Sequence, residues 1–143
     1  PLATVITPNF YEAQKLTGLQ LKNTQEMFDA AVKLHEMGAK NVVIKGEHND
    51  PTQKEVVDVV LLEDGSRFEL TKPFFDTTYV NGTGDTFSAI IAAELAKGTD
   101  VKNAVTRAKD AVYAAISHPL EVGHKFGPIN HWAAERELKK KEL

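Results

Sequence analysis

Cysteine is absent from this 143-residue chain. That excludes a disulfide scaffold, a thiolate metal site and a cysteine nucleophile. It fits a reducing compartment, and a cytoplasmic location is the expectation. Long apolar runs are also absent: none approaches the ~20 residues of a membrane-spanning helix. No secretory signal pattern is visible. Nor is positive charge in excess. The chain has 17 Lys and Arg against 20 Asp and Glu, a formal net charge of −3, whereas a nucleic-acid binder is usually basic. The only basic run, Lys139-Lys140-Lys141, is flanked by glutamates in the tail and reads as a solvated helix end.

What is present is an ordinary globular composition, 42% hydrophobic and 26% charged. The length suits one compact domain, residues 1–143, rather than two. The chain opens on Pro1 and enters a strand-like run, Leu2 to Thr7, at once, which reads as a piece cut from a longer chain.

Thr4 to Ile6 reads as a short buried strand ended by Pro8. Asn9 can cap a helix from Phe10 to Gly18. Asn23 with Glu26 makes a capping box for a second helix. That helix carries Met27, Phe28, Ala31 and Leu34 at three-and-four spacing and closes at Gly38. Asn41 to Gly46, NVVIKG, is the next strand. Strand, helical crossover and strand form a βαβ unit, so the two strands are expected to be parallel neighbours. A hairpin follows, with arms Glu55 to Leu62 and Arg67 to Thr71 and Asp64-Gly65 at the turn. Pro73 to Asn81 reads as a loop. A helix from about Asp85 to Lys97 comes next. Another starts after Thr99 or Asp100, with an apolar stripe of Val101, Ala104, Val105, Ala108, Val112, Ala115 and Ile116, and ends at His118-Pro119. A Gly-rich loop, GHKFGPIN, leads to a last helix from about Trp132. The order predicts an α/β layered domain with a thin, partly parallel sheet plus a hairpin.

Three segments could carry chemistry. In Gly82-Thr83-Gly84-Asp85 a glycine turn meets a helix N-terminus, where unpaired N–H groups and the dipole can hold an anion. Asp85 in that first turn could accept a proton from an attacking hydroxyl. Glycine turns and acidic first turns are also common as plain helix starts. The segment is neither the G-x-x-x-x-G-K-[ST] loop nor the dinucleotide fingerprint. In TPNFYE, Asn9 and Glu12 stand at a strand's C-terminal end, where open α/β sheets place ligands. They could organise a hydrated magnesium ion, or be only a capping box. In VVIKGEH, Lys45 and Gly46 end a strand on the same edge. The lysine could neutralise phosphate, or merely be exposed. The five histidines, His35, His48, His118, His124 and His131, show no metal-ligand spacing such as H-E-x-x-H. His35 is expected on the surface, and none is assigned a catalytic role.

In this order, TPNFYE, VIKGEH, NGTGDTFSA and a C-terminal GHKFGPINH, the chain resembles the ribokinase-like superfamily of small-molecule kinases over nearly its whole length. It is most similar to the vitamin-kinase branch, pyridoxal (pyridoxine) kinase and hydroxymethylpyrimidine kinase. The resemblance implies a three-layer α/β fold, of which the chain would carry the C-terminal, nucleotide-side half. It implies transfer of the γ-phosphate of ATP, with Mg2+, to a hydroxymethyl group. Asp85 would be the base. The backbone of Gly82, Thr83 and Gly84 would form the anion hole. Asn9 and Glu12 would organise magnesium and its waters, Lys45 and Gly46 would border the ATP phosphates, and the loop after Ile116 would lie near the nucleotide. The longer parent would be a homodimer acting on small molecules.

Gly-Thr-Gly-Asp is the pattern usual in pyridoxal kinases, whereas hydroxymethylpyrimidine kinases usually carry Cys where Asp85 stands. GHKFGPINH is more like the pyrimidine branch. A pyridoxal kinase is therefore the expectation, with a hydroxymethylpyrimidine kinase as its alternative. A non-catalytic nucleotide-binding module or a purely structural α/β domain stand as the other readings.

Overall fold

A computed structural model describes residues 4–47, 50, 52–74, 83–117 and 131–140. They group into two compact units, Pro1–Phe74 and Phe75–Leu143.

The first unit is a four-stranded sheet with two helices. Its strands are β1 (Val5–Ile6), β2 (Asn41–Ile44), β3 (Glu55–Leu61) and β4 (Arg67–Pro73), in the spatial order β1-β2-β3-β4. As the βαβ pattern requires, β1 and β2 are parallel, with Val5 opposite Asn41. The pairs β2–β3 and β3–β4 are antiparallel. The first strand is shorter than expected and only half-buried. Among the described residues it has one ladder, to β2, instead of two.

Helices α1 (Phe10–Thr17) and α2 (Thr24–Glu36) start at asparagine caps. Asn23 Oδ1 accepts from the Glu26 amide at 2.9 Å. Lys33 of α2 ties the helices together by donating from Nζ to the Thr17 carbonyl at 2.6 Å. Every second strand residue faces α2. Val42, Ile44, Val59 and Leu61 bury there against Met27, Phe28, Ala31 and Leu34. Val43 and Val60 point to the opposite face and are fully buried as well. Burying side chains of this size stabilises by roughly 1.5–3 kcal/mol each.

Alternation on β4 runs exposed, half-buried, exposed through all seven residues. That suits an edge strand, where a charged and proline-bearing surface resists pairing with another chain. Pro73 lies in β4, opposite Glu55, and not in the loop expected from sequence. A proline is tolerated at the end of an edge strand. At the hairpin, Gly65 takes φ 87°, a left-handed conformation natural to glycine. The Leu62 amide closes the turn on the Ser66 carbonyl at 2.8 Å.

The second unit comprises α3 (Thr83–Ala96), α4 (Val101–Ser117) and α5 (His131–Lys140). The expected stripe on α4 is present, with Ala111 added, and Val101 and Ile116 are half-buried at its ends. Ala111 and Ala115 pack with Ala134, Ile90 and Leu138. Such small side chains let helices approach closely. Asp100 caps α4, taking the Asn103 amide at 2.9 Å. No helix among the described residues is long and apolar enough to cross a membrane.

Candidate functional site

Two of the three sequence segments meet at one edge of the first unit. The capping box at α1 is complete. The Glu12 amide donates to Asn9 Oδ1, and the Asn9 amide donates to Glu12 Oε2, both at 2.8 Å. This ties the chain leaving β1 to the first turn of α1. Asn9 also bridges Lys45 in parallel pairing, and the Lys45 amide donates to the Pro8 carbonyl at 3.0 Å. The sheet therefore zips TPNFYE to VIKGEH just beyond the strand ends. Tyr11 adds a side-chain link, donating from its hydroxyl to Glu47 Oε1 at 2.8 Å.

Cap and ion-site readings of Asn9 and Glu12 turn out to be compatible. The cap uses one carboxylate oxygen of an exposed Glu12. Its other oxygen, Oε1, has no hydrogen-bond partner among the described residues. Magnesium keeps most of its waters and needs few carboxylates, so this pair fits a hydrated ion held through water. Among the described residues no group of three or more His, Asp and Glu side chains is placed to hold a metal directly.

Strand β2 ends at Ile44, two residues before the expected Gly46. Lys45 is half-buried, and its ammonium has no ion pair among the described residues. Gly46 is buried. A Cβ on it would lie 2.2 Å from the Val57 carbonyl oxygen. Its amide is already taken, donating to Asp58 Oδ1 at 2.9 Å. Asp58, in the middle of β3, is 2% exposed. Sequence reasoning missed it. The available signal was an acid inside the apolar run EVVDVVL, since buried carboxylates need dedicated partners.

Gly84 and Asp85 belong to the second unit. The helix starts at Thr83, two residues before the expected Asp85, so both sit within its first turn. First-turn amides have no carbonyl one turn earlier to bond. Asp85 is exposed, and its side chain bonds no other described residue. Gly82, His48, His118, His124 and most of the GHKFGPINH segment lie outside the described residues, and of Thr83 and His131 only the backbone is described. His35 is half-buried on α2, where a surface position was expected, with Nδ1 buried and unpaired among the described residues.

A second buried acid also escaped the sequence reading. Glu94 on α3 is 1% exposed. Its Oε2 meets Arg107 Nη1 of α4 at 3.1 Å and accepts from Thr99 Oγ1 at 3.0 Å. Arg107 Nη2 donates onward to the Leu138 carbonyl of α5 at 3.2 Å. This network holds three helices together. Its signal was an acid in register with buried Phe87 and Ile91.

Comparison with known proteins sets these residues in a family. Hydroxymethylpyrimidine/phosphomethylpyrimidine kinase of Haemophilus influenzae is 52% identical over 137 residues, covering 95% of this chain and 51% of that protein. Pyridoxine kinase of Bacillus subtilis is 46% identical over 135 residues, covering 93% and 49%. Pyridoxal kinase from Staphylococcus aureus, solved with AMP-PCP and pyridoxal, superposes with TM-score 0.85 at 36% identity, covering 94% and 48%. The chain thus spans about half the length of the relatives it matches. The phosphomethylpyrimidine kinase family model matches residues 1–130, and the chain belongs to that family, with the ribokinase-like fold its sequence motifs led one to expect.

Proposed function

We propose that residues 1–143 are the nucleotide-binding part of a kinase that moves the γ-phosphate of ATP to the hydroxymethyl group of pyridoxal or pyridoxine, giving the 5′-phosphate. The observation that carries this is the Asn9–Lys45 bridge. It sets an amide and carboxylate pair beside a lysine without an ion partner among the described residues, at the strand ends where α/β sheets bind ligands.

Phosphoryl transfer needs positioning and charge stabilisation more than covalent help. The substrate hydroxyl oxygen bonds to the γ-phosphorus, the bond to the β–γ bridging oxygen breaks, and ADP leaves. Asp85 takes the hydroxyl proton. Its exposure and lack of a bonding partner among the described residues suit a base that must reach a substrate. The backbone amides of Gly82, Thr83 and Gly84 receive the charge of the moving phosphoryl group. Lys45 offsets phosphate charge, and Asn9 and Glu12 hold the waters of a magnesium ion. That ion would supply charge neutralisation at the phosphates.

Asp85 in Gly-Thr-Gly-Asp favours the B6 substrate, as does likeness to a pyridoxal kinase solved with pyridoxal. A second reading, a hydroxymethylpyrimidine kinase, is favoured by the 52% identity to the Haemophilus influenzae protein. The test is a mass-spectrometric product assay with MgATP, pyridoxal, pyridoxine and hydroxymethylpyrimidine. It uses the natural polypeptide that carries this sequence, with Asp85→Ala as control. Phosphorylated B6 vitamer that falls by about 10²–10⁴ in the variant is expected, the usual worth of a positioned base. A phosphorylated pyrimidine alone would favour the second reading, and no product would refute both.

A further inference from the structure

We infer that Asp58 is a positioning residue for the phosphate-binding edge, and that it withdraws the Gly46 amide from ligand binding so that Lys45 is the group of this segment that meets phosphate. The inference rests on the kinase reading and assigns a role within that site.

Glycine beside lysine at a strand end suggests a backbone amide offered to an anion. Here that amide is occupied. Gly46 N–H donates to Asp58 Oδ1 at 2.9 Å, and both residues are buried. The regular ladder between β2 and β3 stops at Ile44 opposite Val59. Two residues on, the Gly46 backbone presses onto the Val57 peptide so closely that a Cβ would overlap its oxygen. A carboxylate from the next residue of β3 takes the place of a main-chain acceptor.

The segment is then held from both sides. Pro8 and Asn9 hold Lys45 through the backbone, Asp58 holds Gly46, and Tyr11 holds Glu47. Only the Lys45 side chain lacks a hydrogen bond or ion pair among the described residues. A buried carboxylate bonded to an amide is a strong, charge-assisted clamp. It fixes the backbone from which the lysine projects. Asp58 touches no nucleotide in this scheme and acts through residues 45 and 46.

The test uses the natural polypeptide that carries this sequence, with MgATP as the probe. Asp58→Asn keeps an oxygen acceptor and is expected to bind MgATP within about twofold of wild type, since a neutral acceptor retains the bond geometry. Asp58→Ala loses the acceptor, and a rise of about tenfold in KM for MgATP is expected, with kcat at saturating nucleotide nearly unchanged. Should Asp58→Ala fail to fold, the Gly46 amide decides in wild type. Its NMR resonance should be protected from exchange without nucleotide and stay so when MgATP is added. An amide that gains protection only with MgATP would overturn the assignment, as would an Asp58→Ala variant with unchanged KM. A wild-type polypeptide that binds no MgATP would overturn the kinase reading itself, and this role with it.

Discussion

Replacing Gly46 with alanine should damage the first unit more than any exposed substitution at the site. Its φ is not in the positive range, so the cost is steric and not conformational. The new methyl carbon would stand 2.2 Å from the Val57 carbonyl oxygen, 3.0 Å from the carbonyl carbon and 3.2 Å from the amide nitrogen. All three are backbone atoms and cannot rotate away. The two chains must separate by about 1 Å to reach ordinary contact. That movement breaks the amide bond to Asp58 and pulls on Ile44 and Val59, both fully buried. Overpacking costs about 1–3 kcal/mol, and a lost bond to a charged group adds roughly 1.5–3 kcal/mol. A total of about 2.5–6 kcal/mol is a large share of the roughly 5–15 kcal/mol that holds a domain together. Urea unfolding followed by circular dichroism measures it. Because Gly46→Ala and Asp58→Ala break the same bond, their penalties should add to less than their sum. A Gly46→Ala variant within about 0.5 kcal/mol of wild type, the range of neutral surface changes, would refute the reasoning.

Other outcomes follow from the same geometry. Asn9→Ala removes the α1 cap and should cost about 0.5–2 kcal/mol of stability in thermal melts, with a further loss of MgATP affinity if the ion-site role holds. Glu94→Ala leaves the half-buried Arg107 without this carboxylate and should cost up to about 3–5 kcal/mol by urea unfolding, whereas paired Glu94→Met and Arg107→Met changes should cost much less. Acid sensitivity should be partly local. The Asn103 amide, and then its side chain, hold Asp100 below the ordinary carboxylate value of 3.8. Thr52 and Ser66 do the same for Asp50 and Asp64. A depressed folded value means stability that is full above the ordinary value and lost as pH falls through the lowered one. Asp100→Asn should flatten the melting-temperature profile below about pH 4, near the ordinary carboxylate range, and an unchanged profile would count against the cap.

How much of this was legible beforehand differs from element to element. Local signals placed the helices well, because caps such as Asn9 and Asn23 and apolar spacing such as Met27, Phe28, Ala31 and Leu34 act within a few residues. The parallel β1–β2 pair followed from chain connectivity. The motif order TPNFYE, VIKGEH, NGTGDTFSA pointed to the family. Boundaries set by competition were less legible. The second strand stops at Ile44 because Val57 and Asp58 intrude on Gly46, and those residues lie 11 and 12 positions further on. Nothing in NVVIKG announces that.

By itself, then, the sequence determined the element order, the caps and the family, since each rests on neighbouring residues or on a linear pattern of motifs. Tertiary structure decided which polar groups are already used. Only folding brings Asp58 onto the Gly46 amide and Arg107 onto Glu94. A buried carboxylate takes its partner from wherever packing delivers one, and linear spacing carries no record of that choice.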